Sequence, residues 1–469
     1  MDRFSNIYLF NSTMLVLLIV WVLLSILIVR QSFRNGTSGI VFALVLAMGL
    51  LYGGCFVYAV PGYTHLRVDG DLYLKSYNVS EQYILQATFL MILAMSAFYV
   101  GGMRRRSRRT INGAADGSVH DGGEPISLAK IDLTLVIMAP IGLVAFLLSY
   151  LNVSFPLSGA LLEVGRAIGV ATVCFAFFRQ AVTGGSQLLL LPLLLPIPVY
   201  HMALKGFASY AFLFVASFAS FWCIVAYYQK RLPGWFVSTL VIGGATWITL
   251  SLFLIWMSMR QRLREILWFG SDDSLFTTIM DAWREAPSFS LLNFEGLDLI
   301  NIRLNLNLFV ARLIEQHEIM PELRENGATL MELLFIWLPR FLWPDKPVRG
   351  GNLFASEHTG LTFVETVTIG TGPLFEFYVN FGYIGVVVGF FVFARLISYV
   401  DRQAFASLVK TDYLRFFKFF VVGILIIDPL LRPFFVVNGA LFALILIGLI
   451  ELVTKPFYQP LRSHLRHGT

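Results

Sequence analysis

Residues 8–29, YLFNSTMLVLLIVWVLLSILIV, decide the class of the protein. This run contains no charged side chain and is as long as the roughly 20 residues that a helix needs to cross a bilayer. The whole chain agrees, because 57% of its 469 residues are hydrophobic and 14% are charged, against roughly 25% charged in a soluble domain. The sequence predicts an all-α polytopic membrane protein with a retained first span.

Eleven runs are long and apolar enough to span a membrane. They lie near 8–29, 39–60, 82–102, 131–151, 157–178, 187–204, 207–228, 235–256, 374–396, 413–431 and 433–453. Three prolines interrupt the sixth run, which predicts a kinked helix because neighbouring groups satisfy the freed carbonyls. Neither half of the chain repeats the other, which disfavours a transporter built from inverted repeats.

Basic residues in the short loops predict the orientation, because Lys and Arg accumulate on the cytoplasmic side. With eleven spans they all fall on one side: Arg30, Arg34, Arg104, Arg105, Arg106, Arg108, Arg109, Arg179, Lys230, Arg231, Arg395, Arg402, Lys410, Arg415, Lys418, Lys455, Arg462 and Arg466. We therefore expect an outside N-terminus, a cytoplasmic Arg-rich loop 103–130 and a cytoplasmic tail 454–469. Topology explains most of the net charge of +6, so no nucleic-acid partner is expected.

The segment 257–373 separates a membrane domain (1–256) from a second one (374–453) and is predicted on the outer face, between spans 8 and 9. Within it, LDLINIRLNLNLFVARLIEQHE (297–318) predicts a helix by its length, although its first half alternates as a strand does. LMELLFIWLPRFLW (330–343) is too short to span and predicts a re-entrant or interfacial helix.

Ionisable residues gather at the predicted outer ends of the spans, where burial in lipid makes each one a functional candidate. They are Glu163, Arg166, His201, Lys205, Glu376, Asp428 and Arg432. Glu163 and Arg166 lie three residues apart, so they share a helix face as either a structural ion pair or a substrate clamp. His201 and Lys205 are interpreted as residues at the membrane boundary whose polar ends reach the headgroups, and not as ligands. Asp428 and Arg432 are interpreted as caps of the proline-rich turn DPLLRPF, in preference to a role in chemistry.

The stretch LPRFLWPDKPVRGG (338–351) differs from these isolated charges. Three prolines restrict its backbone, and Arg340, Lys346 and Arg349 emerge from it near the predicted outer interface. Arginine binds phosphate oxygens in bidentate fashion, and lysine binds them as a point charge. The pattern predicts a clamp for an anion with an apolar tail, such as a lipid pyrophosphate.

The same stretch, followed by PLFEFYVNFGYIGVVVGFF (373–391), resembles the Wzy-type O-antigen polymerases, which join lipid-linked oligosaccharide repeat units in bacteria. The resemblance covers roughly residues 300–393. It comprises an Arg-Leu-Asn run at Arg303, the core Pro-Arg-x-x-Trp-Pro-Asp-Lys-Pro at 339–347, and Glu376-x-Tyr378-x-Asn380-Phe381-Gly382.

The resemblance implies a glycosyltransferase of the bacterial cytoplasmic membrane that is related to the polytopic lipid-donor glycosyltransferases. A sugar hydroxyl of the incoming unit would attack the anomeric carbon of the growing chain, and undecaprenyl pyrophosphate would leave on the outer face. The implied partners are the undecaprenyl-pyrophosphate-linked donor and acceptor, membrane lipid and a chain-length regulator protein. Neither a cofactor nor a metal is expected, and the spacing in EHTGLTFVET (357–366) is too loose for a metal motif.

Within this chemistry each charged candidate has an expected role. Fixed cations that meet the leaving pyrophosphate lower the barrier, and these would be Arg340, Lys346 and Arg349, followed by Arg303 and Arg166. The acceptor hydroxyl needs a general base: Glu376 first, then His358, then Glu163.

Three other functions compete with polymerisation. A flippase for the same lipid needs a polar path across the bilayer, whereas the charges here cluster on one side. An O-antigen ligase differs only in its acceptor, and only the motif favours the polymerase. A scaffold without enzymatic activity would not need the cationic stretch.

We predict that Arg340→Ala and Arg349→Ala each reduce polymer formation in cells by at least about tenfold, because each removes a charge-assisted bond of about 1.5–3 kcal/mol. The measurement is the ladder of polymer lengths, with expression and membrane insertion checked. A normal ladder from both variants would show that the stretch has a structural role.

Overall fold

The computed structural model describes residues 2–63, 79–103, 127–151, 158–184, 253–258, 274–285, 294–335, 351–363 and 370–464, with a few further positions between 217 and 290. All regular elements in these ranges are helical. This agrees with the all-α class that the apolar runs predict.

Twelve helices of nine or more residues are described. They are α1 (Asp2–Asn35), α2 (Ile40–Tyr52), α3 (Glu81–Met103), α4 (Leu128–Tyr150), α5 (Ser158–Val182), α6 (Leu275–Glu285), α7 (Phe294–Leu304), α8 (Asn307–Ile319), α9 (Gly351–Thr359), α10 (Gly372–Val409), α11 (Tyr413–Ile426) and α12 (Pro433–His464). Shorter elements are the 3₁₀ helices Gly53–Ala59, Pro321–Leu323 and Glu332–Phe335 and the helical turn Ala328–Met331.

Seven of the described helical stretches are long and apolar enough to cross a membrane. They are Tyr8–Asn35, Ile40–Ala59, Glu81–Gly102, Leu128–Ser149, Leu161–Val182, Gly372–Val409 and Pro433–Tyr458. Each coincides with one of the eleven predicted runs, so the polytopic membrane class is confirmed. The predicted runs 187–204, 207–228 and 235–256 fall largely outside the described residues and stay predictions.

The run predicted as a span at 413–431 is a shorter helix. α11 ends at Ile426 after 14 residues, which corresponds to about 21 Å, less than the roughly 30 Å of the hydrocarbon core. The helix stops here because Pro429 disfavours helical geometry at the preceding Asp428.

α10 is longer than the predicted span 374–396 and is broken near its start. Arg395, at the end of the predicted span, and Arg402, expected in the loop after it, both lie within the helix. Phe381 (φ −140°, ψ 20°) and Gly382 (φ 59°, ψ −142°) interrupt the helical geometry, and only glycine adopts the conformation at 382 without strain. α10 therefore consists of a short first segment and a long second one.

Small residues let neighbouring helices approach closely, as in other membrane bundles. α3 packs on α10, where a Cβ at Gly101 would meet the backbone of Phe391. α4 packs on α5, where Gly142 faces Gly169 and Ala145 faces Gly165. The bundle therefore depends on backbone-to-backbone packing at these crossings.

One end of the bundle carries the basic loop ends. Arg179 of α5 pairs with Asp132 of α4, and Lys130 Nζ lies 3.4 Å from Thr411 Oγ1, between α10 and α11. These contacts bring together the start of α4, the end of α5 and the turn between α10 and α11. The arginines from 104 to 109 lie outside the described residues.

At the same end, Asp401 of α10 caps α2 from a distance of more than 360 residues in sequence. Its Oδ1 accepts from the backbone nitrogen of Ser38 (2.8 Å) and from the Ser38 hydroxyl (2.7 Å), and its Oδ2 accepts from the Thr37 hydroxyl (2.6 Å). Asp401 is 2% exposed. It satisfies amide groups that the start of α2 would otherwise leave unpaired.

The predicted helix 297–318 is two helices, α7 and α8, separated at Asn305 and Leu306. Asn305 Oδ1 accepts from the backbone nitrogen of Asn307 at 3.1 Å, and the backbone nitrogen of Leu306 donates to the carbonyl of Leu51 at 3.0 Å. The break thus ties this segment to the end of α2. Of the predicted element 330–343, residues 330–335 form short helical turns, and the remainder lies outside the described residues.

We predict that Asp401→Ala lowers the free energy of unfolding by about 3 kcal/mol, because several buried donors lose a charged acceptor. The measurement is chemical unfolding of the purified protein in detergent. Asp412→Ala is the control, since Asp412 is an exposed cap of α11 worth about 1 kcal/mol. Equal losses in the two variants would contradict a special role for Asp401.

Candidate functional site

A buried ion pair anchors the polar interior at the opposite end of the bundle. Glu376, on the first segment of α10, is fully buried, and Arg432, before α12, is 4% exposed. Arg432 Nε donates to Glu376 Oε2 at 3.0 Å, and Nη2 donates to Oε1 at 3.2 Å. Both carboxylate oxygens of Glu376 are therefore engaged in a bidentate contact.

The ion pair is linked to α9 through an aromatic ring. The guanidinium of Arg432 lies 4.0 Å from the ring centroid of Phe354, a cation–π contact. The Phe354 ring in turn meets the ring of His358 edge to face, with 4.7 Å between centroids. The position of His358 is thus coupled to the Glu376–Arg432 pair.

His358 is the centre of a group of ionisable side chains. Its Nδ1 lies 3.3 Å from Nε2 of His317 on α8, and its Nε2 lies 3.6 Å from Oε1 of Glu325. One ring nitrogen of His358 and one oxygen each of Glu325 and Glu357 lie within 4.8 Å of one another. We call His358, Glu325 and Glu357, backed by His317, the His358 cluster.

The cluster has a buried side and an open side. His317 and His358 are each 1% exposed, Glu325 is half-buried and Glu357 is exposed. Burial lowers the pKa of His317 to about 4, and the neighbouring His358 and Arg324 act in the same direction. At neutral pH the His317 imidazole is therefore uncharged, and the carboxylates face the surface.

Asn380, four residues after Glu376, links the first segment of α10 to the neighbouring turn. Its Oδ1 accepts from the backbone nitrogen of Gly327 at 2.9 Å. Its Nδ2 lies 2.7 Å from Oγ1 of Thr329 and 2.8 Å from the carbonyl oxygen of Glu376. All of its hydrogen bonds thus stabilise the surrounding framework.

The turn that Asn380 holds is the one that presents Glu325. Asn326 (φ 47°) and Gly327 (φ 96°) are both left-handed, as Asn and Gly tolerate. The backbone nitrogen of Glu325 donates to the carbonyl of Val379 at 3.2 Å, and its carbonyl accepts from Ala328 at 2.9 Å. Glu325 is therefore fixed on both sides of its backbone.

The other predicted site residues lie elsewhere. Glu163 and Arg166 are on α5, where Glu163 is close enough to act electrostatically on Asp428. Arg303 lies half-buried in the last turn of α7. The predicted pyrophosphate clamp of Arg340, Lys346 and Arg349, and the boundary residues His201 and Lys205, fall outside the described residues.

Sequence reasoning did not identify Glu325, Glu357 or His317 as members of a site. Glu325 lies 33 residues before His358, and no local spacing joins them. The available signal was the dipeptide Asn326-Gly327, which marks a tight turn directly after an acidic residue.

The chain matches no family model, and no similar curated protein or solved structure was found. Its function therefore has to be argued from the residues and their geometry.

We predict that Arg432→Met lowers the free energy of unfolding by about 3–5 kcal/mol, because Glu376 is left buried without its partner. The double variant Glu376→Met/Arg432→Met should regain more than half of that loss, since no unpaired charge remains. Both are measured by chemical unfolding in detergent.

The control is the partly exposed pair of Lys418 and Glu451, separated by 2.7 Å. Lys418→Met should cost less than about 1 kcal/mol. A double variant at 376 and 432 that is less stable than Arg432→Met would show that the pair stabilises the fold by more than charge compensation.

Proposed function

We propose that this chain transfers a glycan from a polyprenyl pyrophosphate to the sugar of a second lipid-linked unit, as a polymerase of oligosaccharide repeat units in the bacterial cytoplasmic membrane. The observation that carries the proposal is that Glu376 and Asn380 both support the His358 cluster. Glu376 does so through Arg432 and the ring of Phe354, and Asn380 does so through its hydrogen bond to the turn that follows Glu325. The segment resembling the polymerases thus supports a cluster of acid–base groups at one end of a membrane bundle.

The reaction forms one glycosidic bond and breaks one bond to phosphate. A hydroxyl oxygen of the incoming unit attacks the anomeric carbon of the growing chain, and the bond between that carbon and the pyrophosphate oxygen breaks. The hydroxyl proton passes to a general base, and the electron pair leaves with the polyprenyl pyrophosphate. The protein therefore has to supply a base and positive charge at the leaving group.

We assign the base to Glu325. Sequence reasoning favours Glu376, but both of its oxygens are bound by Arg432 in a fully buried pair. The side chain of Glu325 is 14% exposed and its backbone is fixed by the turn at 326–327. In this proposal Glu376 and Arg432 are positioning residues, and so is His358, which lies beside Glu325.

The positive charge comes from the stretch that directly precedes α9 in the chain. Arg340, Lys346 and Arg349 lie before Gly351, where the helix that bears His358 begins. They are proposed to bind the pyrophosphate, with Arg303 and Arg166 as secondary candidates. The donor and acceptor lipids, and a chain-length regulator protein, are the proposed partners, with the site on the outer face.

The test is polymer formation in the host bacterium after replacement of the chromosomal copy by variants. Glu325→Gln should reduce polymer by at least about 100-fold, because a general base contributes about 10²–10⁴ in rate. Single-repeat lipid-linked product should accumulate. Glu322→Gln, an exposed carboxylate three residues away, is the matched control and should give a normal ladder.

Two outcomes would overturn the assignment. A normal ladder from Glu325→Gln would exclude Glu325 as the base. Loss of the single-repeat product as well as the polymer would place the defect before polymerisation and would favour a flippase.

A further inference from the structure

Three potential ligand atoms of the His358 cluster are spaced as they would be around a single ion. His358 Nε2 and Glu325 Oε1 are 3.6 Å apart, which is beyond the range of a hydrogen bond. Two ligands that each lie about 2.1 Å from a metal ion in tetrahedral geometry are about 3.4 Å apart. Glu357 adds a third ligand oxygen, and all three atoms lie within 4.8 Å of one another.

The contact between the two histidines constrains which atoms carry protons. His317 Nε2 and His358 Nδ1 are 3.3 Å apart, and one of them must donate to the other. When His358 donates from Nδ1, its Nε2 carries a lone pair on the side of the two carboxylates, as a metal ligand does. When His317 donates, Nε2–H of His358 faces Glu325 at a distance too long for a hydrogen bond.

The surroundings of His358 match those of a metal ligand. Histidines that bind metals usually bond through their other ring nitrogen to a second group, which fixes the ring, and His317 occupies that position. Phe354 packs edge to face on the ring. His358 and Glu357 also lie in the last turn of α9, where the helix dipole favours a cation.

We infer that the His358 cluster binds one divalent transition-metal ion through Nε2 of His358 and one oxygen each of Glu325 and Glu357. One imidazole with two carboxylates suits zinc, manganese or cobalt better than calcium or magnesium, which prefer all-oxygen sites. The exposed side, at Glu357, leaves positions open for a ligand.

The catalytic role that we give to this ion rests on the proposed function. The inference that the His358 cluster binds an ion does not. Each carboxylate offers one oxygen to the ion and keeps the other, so Glu325 retains an atom that can accept a proton. An ion here would present positive charge to the oxygens of a pyrophosphate. The resemblance to the polymerases leads to the opposite expectation, that no metal is needed.

The experiment is titration of the purified full-length protein with cobalt(II), after treatment with a chelator and with an affinity tag that lacks histidine. Visible absorption of bound cobalt should saturate at one equivalent, and zinc should displace it. His358→Ala should weaken binding at least 100-fold and Glu357→Gln about tenfold. His464→Ala and Glu322→Gln are controls that should bind as the wild type does.

Glu357 is exposed, so its variant tests the site even where His358→Ala fails to fold. Absence of cobalt absorption in the wild type, or unchanged binding in both cluster variants, would overturn the inference. Loss of binding in the variants supports it whether or not the chain makes polymer, so the polymer ladder and the cobalt titration report separately on the two proposals.

Discussion

The ion pair of Glu376 and Arg432 is the contact on which the polar interior depends. Two charges with almost no solvent exposure are costly to bury, and only their bidentate geometry offsets that cost. The pair also ties the first segment of α10 to the turn before α12, and the Arg432–Phe354 contact extends the link to α9. A change that separates the two charges therefore affects both the stability of the bundle and the placement of His358.

The segment EFYVNFG acts in this structure as a support. Glu376 orients Arg432, and Asn380 holds the turn that presents Glu325. The groups nearest the surface, Glu325 and Glu357, come from other segments. The residues that carry a sequence resemblance thus need not be the residues that react. Side chains that hold the structure in place can be as restricted in identity as side chains that take part in a reaction.

The sequence predicted the class and eleven spans, seven of which correspond to described helices long enough to cross a membrane, because long apolar runs reflect the bilayer directly. The predicted helix boundaries were wrong where a proline, a side-chain cap or a tertiary contact ends, divides or extends a helix. Pro429 ends α11 early, Asn305 divides the helix predicted at 297–318, and α10 continues past Arg395, whose guanidinium lies over the ring of Phe391. The His358 cluster was not predicted, because contacts between segments 33 residues apart leave no periodic signal.

The break in α10 also decides how much of that helix can cross a membrane. The first segment folds back on the second, because the rings of Phe377 and Phe390 lie 5.8 Å apart, whereas a straight helix would separate these positions by about 20 Å. The second segment continues without a break to Val409, a length of about 40 Å against the roughly 30 Å of a hydrocarbon core. In a bilayer this segment would tilt or extend beyond the hydrocarbon, so thicker lipids would bring it closer to the membrane normal.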